Sequence, residues 1–378
     1  MNYDYSKKEF ELFIELYQTV SAYSAEHPMD SGGDECRKNI QAAMKQLGQT
    51  PYLKLAIADI DGFYGTTTLM GAMEAVAAVS PSLYLSAEYS VRVLGRAIAR
   101  WGNETLKKTF LDPLLSGESL GALALCEETV NVDNDPLATI GERRDGGVVL
   151  NGRKQFVVNA PVASVVGVVG LLDDKPALFL VETGAPGMTI DDTPGDALGY
   201  KGVAISGLHL RNCVVQEDRV IQCGPKENMT AILRLYENQV LMGASIGLAK
   251  ASFEAARDYA KNHRTGGKPI IAYQEIGFKL SEMLTLYQAS QLLAIRAAWT
   301  FENKPKEAGD LSLCAKVFCA ESASQVAGEA MKILGSSAYF GANPVERAYC
   351  CARYGEVFGT STELSRVKIG DAALGVKA

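Results

Sequence analysis

The sequence predicts an α+β chain in three parts: an N-terminal helical domain over 1–118, a middle antiparallel β-barrel or sandwich over 119–222, and a C-terminal four-helix-type bundle over 223–378. Apolar residues recur at helical spacing at both ends of the chain. Between them the pattern breaks into short apolar runs separated by Gly, Asp and Pro clusters, as strands and turns require. No internal repeat or low-complexity linker interrupts the three regions.

In the first region Phe10, Phe13, Ile14 and Tyr17 mark a helix, which the Gly/Asp/Pro-containing stretch near 28–34 closes. An Ala-rich helix pair is expected across 68–100, and Trp101-Gly102-Asn103-Glu104 ends one helix and starts another. In the middle region Val148–Leu150, Asn151-Gly152 and Arg153–Val158 read as a hairpin, because Asn-Gly suits the positive φ values of a tight turn. Strands are expected at Val162–Leu172, Ala177–Glu182, Met188–Ile190 and Ile205–Val215, with turns at 173–176 and 183–187. The last region predicts long helices near 226–262, 271–303 and 307–335 and two shorter ones within 344–376. Ala244, Gly247, Ala249 and Ala251 give a small-residue face that a neighbouring helix can approach closely.

Composition narrows the function. The net charge is −7 and no basic block alternates with aromatics, so nucleic acid is not an expected partner. The longest apolar run, about Val162–Leu172, is too short to cross a bilayer, and residues 1–13 lack a basic-then-apolar export pattern. A cytoplasmic location is expected, with no membrane partner. None of the eight cysteines forms a CxxC pair and there are three histidines, so no metal site is expected.

Several segments, in order and spacing, resemble the acyl-CoA dehydrogenase family over about residues 60–376. They include Leu94-Gly95 followed by Gly102-Asn103-Glu104, the 122–127 segment ALALCE, and the 150–159 segment LNGRKQFVVN. The 245–249 segment SIGLA, Tyr273-Gln274, Ala315-Lys316 and the 344–347 segment PVER extend the match. The resemblance implies FAD as cofactor and α,β-dehydrogenation of an acyl thioester. A carboxylate takes the Cα proton while a hydride leaves Cβ for the flavin. It also implies an electron-transfer flavoprotein or oxygen as acceptor, and a homodimer or homotetramer.

Most of the family carries the base in a "YEGT" motif. Aligned through Arg366, that segment is Phe358-Gly359-Thr360-Ser361 here, and the base position is Gly359. A minority, resembling isovaleryl-CoA dehydrogenase, carries the glutamate on a bundle helix. Counting back from Gly247-Leu248-Ala249 puts Glu237 there, so Glu237 is the expected base, with Glu356 its rival. Tyr236, Phe358 and Gly359 are expected at the substrate pocket. By the same resemblance Leu125 and Cys126 offer backbone groups to the flavin, Phe156 replaces a tryptophan beside it, and Val158 replaces a threonine. Ser361 replaces another threonine at the cofactor. His263, Arg264 and Gln274 match a segment that reaches the neighbouring subunit's FAD, and Glu127 matches a glutamate of mainly structural role.

The acyl-donor side departs from the family. Glu128-Thr-Val-Asn-Val-Asp133 replaces "PGAGSD", and Leu235 and Asn238 replace an aspartate and an arginine. These losses keep open a substrate held on CoA or on a carrier protein, as in the prolyl-carrier-protein oxidases that resemble this family. Elimination or desulfination without net oxidation, and a non-catalytic subunit, are the competing readings.

Overall fold

The computed structural model describes residues 5–58, 65–128, 131–191, 197–340 and 343–375. The N-terminal region is helical: α1 (Lys7–Glu26), α2 (Asp34–Gln49), α3 (Gly65–Val79), α4 (Pro81–Glu88), α5 (Arg96–Trp101), α6 (Glu104–Leu106) and α7 (Asp112–Leu115). Ser6 and Glu9 cap α1 reciprocally: Glu9 N–H donates to Ser6 Oγ at 3.3 Å and Ser6 N–H to Glu9 Oε2 at 2.7 Å. The helix buries Leu12, Leu16 and Val20, one residue every helical turn or so. Phe10, Ile14 and Tyr17, the residues that reveal the helix in sequence, remain 53%, 56% and 40% exposed. The helix carries two apolar stripes, and only the second faces the core. Between α4 and α5, Tyr89–Gly95 winds in wider π-type turns, buried throughout.

The middle region forms one mixed sheet of β1 (Gly121–Ala124), β2 (Ile140–Arg144), β3 (Gly147–Val158), β4 (Val165–Leu172), β5 (Lys175–Glu182), β6 (Met188–Ile190), β7 (Ile205–Val215) and β8 (Val220–Gln222). The order is β6-β7-β3-β2-β4-β5-β8, with β1 beside β4. Two pairings, β1 with β4 and β2 with β4, are parallel, so the sheet is not purely antiparallel as expected. Residues 148–158 are not a hairpin. They form one long strand, and Asn151-Gly152 marks a register shift against β7, where Asn212 N–H donates to Asn151 Oδ1 at 2.8 Å. The turn lies one step earlier, at Asp145-Gly146-Gly147, where the two glycines take φ +99° and +138°. The β4–β5 hairpin turns at Asp173-Asp174, φ +52° and +60°, the geometry the Asn-Gly pair had suggested elsewhere.

The C-terminal region contains α8 (Met229–Asn262), a small hairpin of β9 (Arg264–Thr265) and β10 (Lys268–Pro269), α9 (Gln274–Asn303), α10 (Ala308–Leu334), α11 (Ser336–Tyr339), α12 (Pro344–Val357) and α13 (Thr362–Leu374). Gly247 sets the closest approach of α8 to α3: a Cβ there would lie 2.6 Å from Ala77 Cβ.

Two apolar cores result. The larger joins the N-terminal helices to the C-terminal bundle, and the smaller fills the inside of the sheet region around Val148, Leu150, Phe179, Leu208 and Leu210. The residues that follow β1, the far end of β3, the first third of α8 and the turn after α12 meet along the seam between these cores.

Candidate active site

Glu237 sits in the first third of α8, 5% exposed, although glutamates are rarely buried without a partner. Its partner is on the same helix, three residues back. Arg234 Nη1 donates to Glu237 Oε2 at 2.7 Å. Arg234 Nε also lies 3.2 Å from Asp133 Oδ2, an ion-pair contact without hydrogen-bond alignment. Lys368 Nζ on α13 holds the other Asp133 oxygen at 3.2 Å. Burial alone would weaken the Arg234 charge, but Glu237, Cys126 and Asp133 outweigh it and hold the guanidinium above its ordinary value. Both terminal nitrogens of Arg234 lie 3.7 Å from Cys126 Sγ, and burial pushes that thiol up. Tyr89, at the start of the π-type turns, and Tyr354, on α12, face the same cluster. Burial first, then the negative charge of Glu237 among the further causes, raises both phenols above their usual range.

The turn after α12 completes this side. Gly359 has φ +64°, a left-handed conformation that suits glycine. Asn238, one residue past Glu237, accepts from Thr360 N–H at 3.1 Å and donates to Thr360 Oγ1 at 3.2 Å. Lys316 Nζ donates to Thr360 O at 2.6 Å; burial lowers this lysine to about 8. The alternative base, Glu356, accepts hydrogen bonds from Ser324 and Arg353.

A cavity of about 630 Å³ shares Tyr354 with this cluster and is otherwise walled by Phe156 and Ile205 of the sheet, Leu198 and Gly199 of a loop, and Phe358; Glu237 and Gly359 are not among its wall residues. Phe358 stacks on Tyr354, with centroids 3.8 Å apart and planes 10° apart, and Phe156 meets Phe358 edge-on at 5.8 Å. Phe156 has φ +55°, strained for a bulky residue, and its ring is 58% exposed. A strained backbone that holds a large apolar ring against an open cavity is consistent with a ligand site, since such outliers cluster where ligands bind. The cavity falls in the range of cofactor pockets and offers mostly flat, apolar walls. These residues therefore fit the ring system of FAD. The carbonyls of Leu125 and Cys126 are already bonded, to Lys154 Nζ at 3.2 Å and Gln155 N–H at 3.0 Å. What the pair has left to offer a cofactor is its N–H groups.

Glu127 lies behind the cavity. It accepts from Ala138 N–H at 2.6 Å, Thr139 N–H at 3.0 Å, Thr139 Oγ1 at 2.6 Å and Lys154 Nζ at 2.6 Å. Burial would raise its pKa, but Lys154 and the hydrogen bonds hold it below the ordinary carboxylate range. Lys154 is itself lowered to about 8, by burial against the pull of Glu127.

Tyr236 and Val158 stand away from the cavity wall, and Ser361, His263, Arg264 and Gln274 take the places described next. Tyr236 does not wall the cavity: one step around the helix from Glu237 turns it into the helical core, where its ring carries Arg96 at 4.2 Å and meets Phe301 at 6.0 Å. Val158 is fully buried and is not part of the cavity wall: past the register shift between Lys154 and Val157 it packs into the larger core. Ser361 caps α13, accepting from Leu364 N–H at 3.3 Å. His263, Arg264 and Gln274 lie at the far end of α8 and the start of α9. A separation of 26 residues along one helix, at 1.5 Å each, puts His263 about 39 Å from Glu237. Within one chain they cannot reach the same cofactor. His263 stacks on Tyr259 at 4.7 Å, and Arg264 donates to Gly267 O at 2.9 Å.

Arg234, Asp133, Tyr89 and Tyr354 were not singled out as site residues from the sequence. Arg234 could have been found by its i,i+3 spacing to Glu237; the other three come from distant segments. Thr129 and Val130, which replace part of the family's glycine-rich segment, lie outside the described residues. Among the described residues no cluster of three or more His, Cys, Asp or Glu side chains could hold a metal, and no helix is long and apolar enough to cross a membrane.

Comparison with known proteins agrees with this geometry. Residues 15–118, 122–213 and 230–374 match the N-terminal, middle and C-terminal domain models of acyl-CoA dehydrogenase. Mitochondrial isovaleryl-CoA dehydrogenase of Oryza sativa subsp. japonica is 31% identical over 307 residues, 79% of this chain and 74% of that protein. Benzylmalonyl-CoA dehydrogenase of Aromatoleum aromaticum is 27% identical over 362 residues, 94% of this chain and 96% of that protein. The crystal structure of the prolyl acyl carrier protein oxidase AnaB superposes with a TM-score of 0.86 over 98% of this chain and 100% of that one, at 19% identity, a likeness of fold alone. With all three domain models matched and a 31% identical relative spanning most of its length, the chain belongs to the acyl-CoA dehydrogenase family, FAD-dependent oxidoreductases that act on acyl groups.

Proposed function

We propose that this protein dehydrogenates an acyl thioester with Glu237 as the base that removes the Cα proton. The observation that carries the reading is the pairing of two positions. Gly359, where most of the family has its base, has no side chain and no room for one, and Glu237 lies buried one helical residue from the Asn238 that fills that space. FAD, when bound, accepts the hydride that leaves Cβ. The chain's own residues do the rest. Phe156 and Phe358 line the ring cavity. Leu125 and Cys126 present backbone N–H groups at the end of β1, and Cys126 also approaches the base. With domain limits at 118 and 222, the cavity is walled both by the middle unit, through Phe156, and by the C-terminal unit that carries Glu237, through Phe358, so the site assembles only when the two pack together.

The thioester class stays within CoA and carrier-protein esters. The positions where relatives anchor the CoA arm are Leu235, an apolar residue, and Asn238, whose amide is committed to Thr360. That commitment favours a carrier-protein substrate as the second reading, since a carrier domain brings affinity through its own surface. The hairpin with Arg264, together with His263 and Gln274, is assigned to the cofactor of a second copy, which calls for a homodimer or homotetramer. An electron-transfer flavoprotein or oxygen reoxidises the flavin. Eight free cysteines suit a reducing cytoplasm.

The test is anaerobic mixing of the flavin-loaded protein with isovaleryl-CoA, butyryl-CoA and a proline-loaded carrier protein. Bleaching of the flavin absorbance by one of them, lost in Glu237→Gln with flavin content intact, is the expected result. Full bleaching in Glu237→Gln would remove the base assignment. Turnover with no flavin reduction would favour elimination.

A further inference from the structure

Arg234 is buried against the base and has two counterions, which is more than holding a glutamate in place requires. It bonds Glu237 at 2.7 Å and keeps Asp133 at 3.2 Å, while Lys368 holds the far oxygen of Asp133. Arg234, Lys368, Glu237 and Asp133 form a balanced set of two positive and two negative charges. The other titratable or charged groups facing it are Cys126 at the end of β1, Tyr89 in the π-type turns, Tyr354 on α12 and Lys316 on α10.

When Glu237 takes a proton, the C–H bond at Cα breaks, an O–H bond forms on the carboxyl, and the electron pair stays with the substrate. The carboxylate loses its charge at that moment. A guanidinium whose only partner was Glu237 would be left buried and unpaired, a state that costs several kcal/mol in general. Asp133 prevents this, because Arg234 can transfer its pairing to a carboxylate it already touches. The set then carries one net positive charge.

We propose that Arg234 is a positioning residue that relays its ion pair from Glu237 to Asp133 as Glu237 accepts the Cα proton. The inference rests on the function proposed above. It assigns Asp133, 104 positions away in sequence and in a different unit of the chain, a role in the rate of proton removal without contact with the substrate carbon.

The experiment is stopped-flow bleaching of the flavin-loaded protein by the thioester that bleaches the wild type among the three named above. It is followed from pH 5 to 9 for wild type, Arg234→Met, Arg234→Lys and Asp133→Asn, with melting temperature and flavin content checked for each. In Arg234→Met the acid limb of the rate profile should be displaced from that of the wild type. Arg234→Lys should recover most of that shift. Asp133→Asn should slow bleaching by about tenfold or more at saturating thioester, with little change in the concentration giving half-maximal rate. A merely structural Arg234 would lower melting temperature or flavin content without moving the pH profile. An unmoved profile in Arg234→Met, or a full-speed Asp133→Asn, overturns this inference while Glu237 keeps its role. A wild type bleached by none of the three esters, or bleaching that survives Glu237→Gln, overturns the proposed function and this inference with it.

Discussion

Asn238 occupies the space that a side chain at Gly359 would need: a Cβ built on Gly359 lies 2.6 Å from Asn238 Oδ1 and 2.8 Å from Leu241 Cδ1. The glycine is also left-handed at φ +64°. Loss of the base in the turn and the amide on the adjacent helix are therefore one packing solution. In place of the missing carboxylate, Asn238 accepts from Thr360 N–H and donates to Thr360 Oγ1.

Moving the base back to the turn should fail. In a Glu237→Gln/Gly359→Glu protein the new side chain meets both the left-handed backbone and Asn238. The expected outcome is no recovery of flavin bleaching and a loss of about 1–3 kcal/mol in denaturant unfolding.

Glu237→Gln itself keeps the shape and the Arg234 contact partner but removes the proton acceptor. Its bleaching rate should fall by roughly 10²–10⁴, the usual contribution of a positioned general base, with unchanged flavin content. Stopped-flow absorbance and the visible-to-280 nm ratio check both parts.

Phe156 separates fold from cofactor binding. Phe156→Gly relieves the φ +55° backbone but removes the ring that meets Phe358. Its melting temperature without flavin should not fall, while flavin retention on a desalting column should drop. A variant that keeps its flavin would show that the ring is not part of the cofactor wall.

Glu127 predicts an acid-dependent stability. Its folded pKa is depressed below the usual 4.5, so its contribution is present above that pH and is lost as pH falls through the depressed folded value. Glu127→Gln leaves Lys154 buried without its charge partner and should cost about 3–5 kcal/mol near neutral pH. The gap from wild type in urea midpoints should narrow below about pH 4.5.

Arg264 tests the second copy. Because about 39 Å of helix separates this hairpin from the base in one chain, an effect on flavin retention must come through a partner. Arg264→Ala should lose flavin without a change in melting temperature, and dilution of the wild type to monomers, followed by light scattering, should release flavin in step.

Local rules explain what was legible. Helix periodicity and caps put α8, α9 and α10 within a few residues of their expected limits, because these signals are carried by neighbours in the chain. β6 and β7 match their apolar runs residue for residue for the same reason. Asn151-Gly152 misled because a local turn preference yields when the β7 partner strand continues past it. The stripe of Phe10, Ile14 and Tyr17 marked α1 correctly, although periodicity reports a face without saying what covers it. Motif spacing alone nominated Glu237 and singled out Gly359. Only the packed chain decided that Tyr236 turns away, that Asn238 fills the vacated turn, and that Arg234 shares its charge between Glu237 and Asp133. Those outcomes depend on segments more than 100 residues apart meeting at one seam, and distances between such segments are set by the packing of two cores and not by any local pattern of residues.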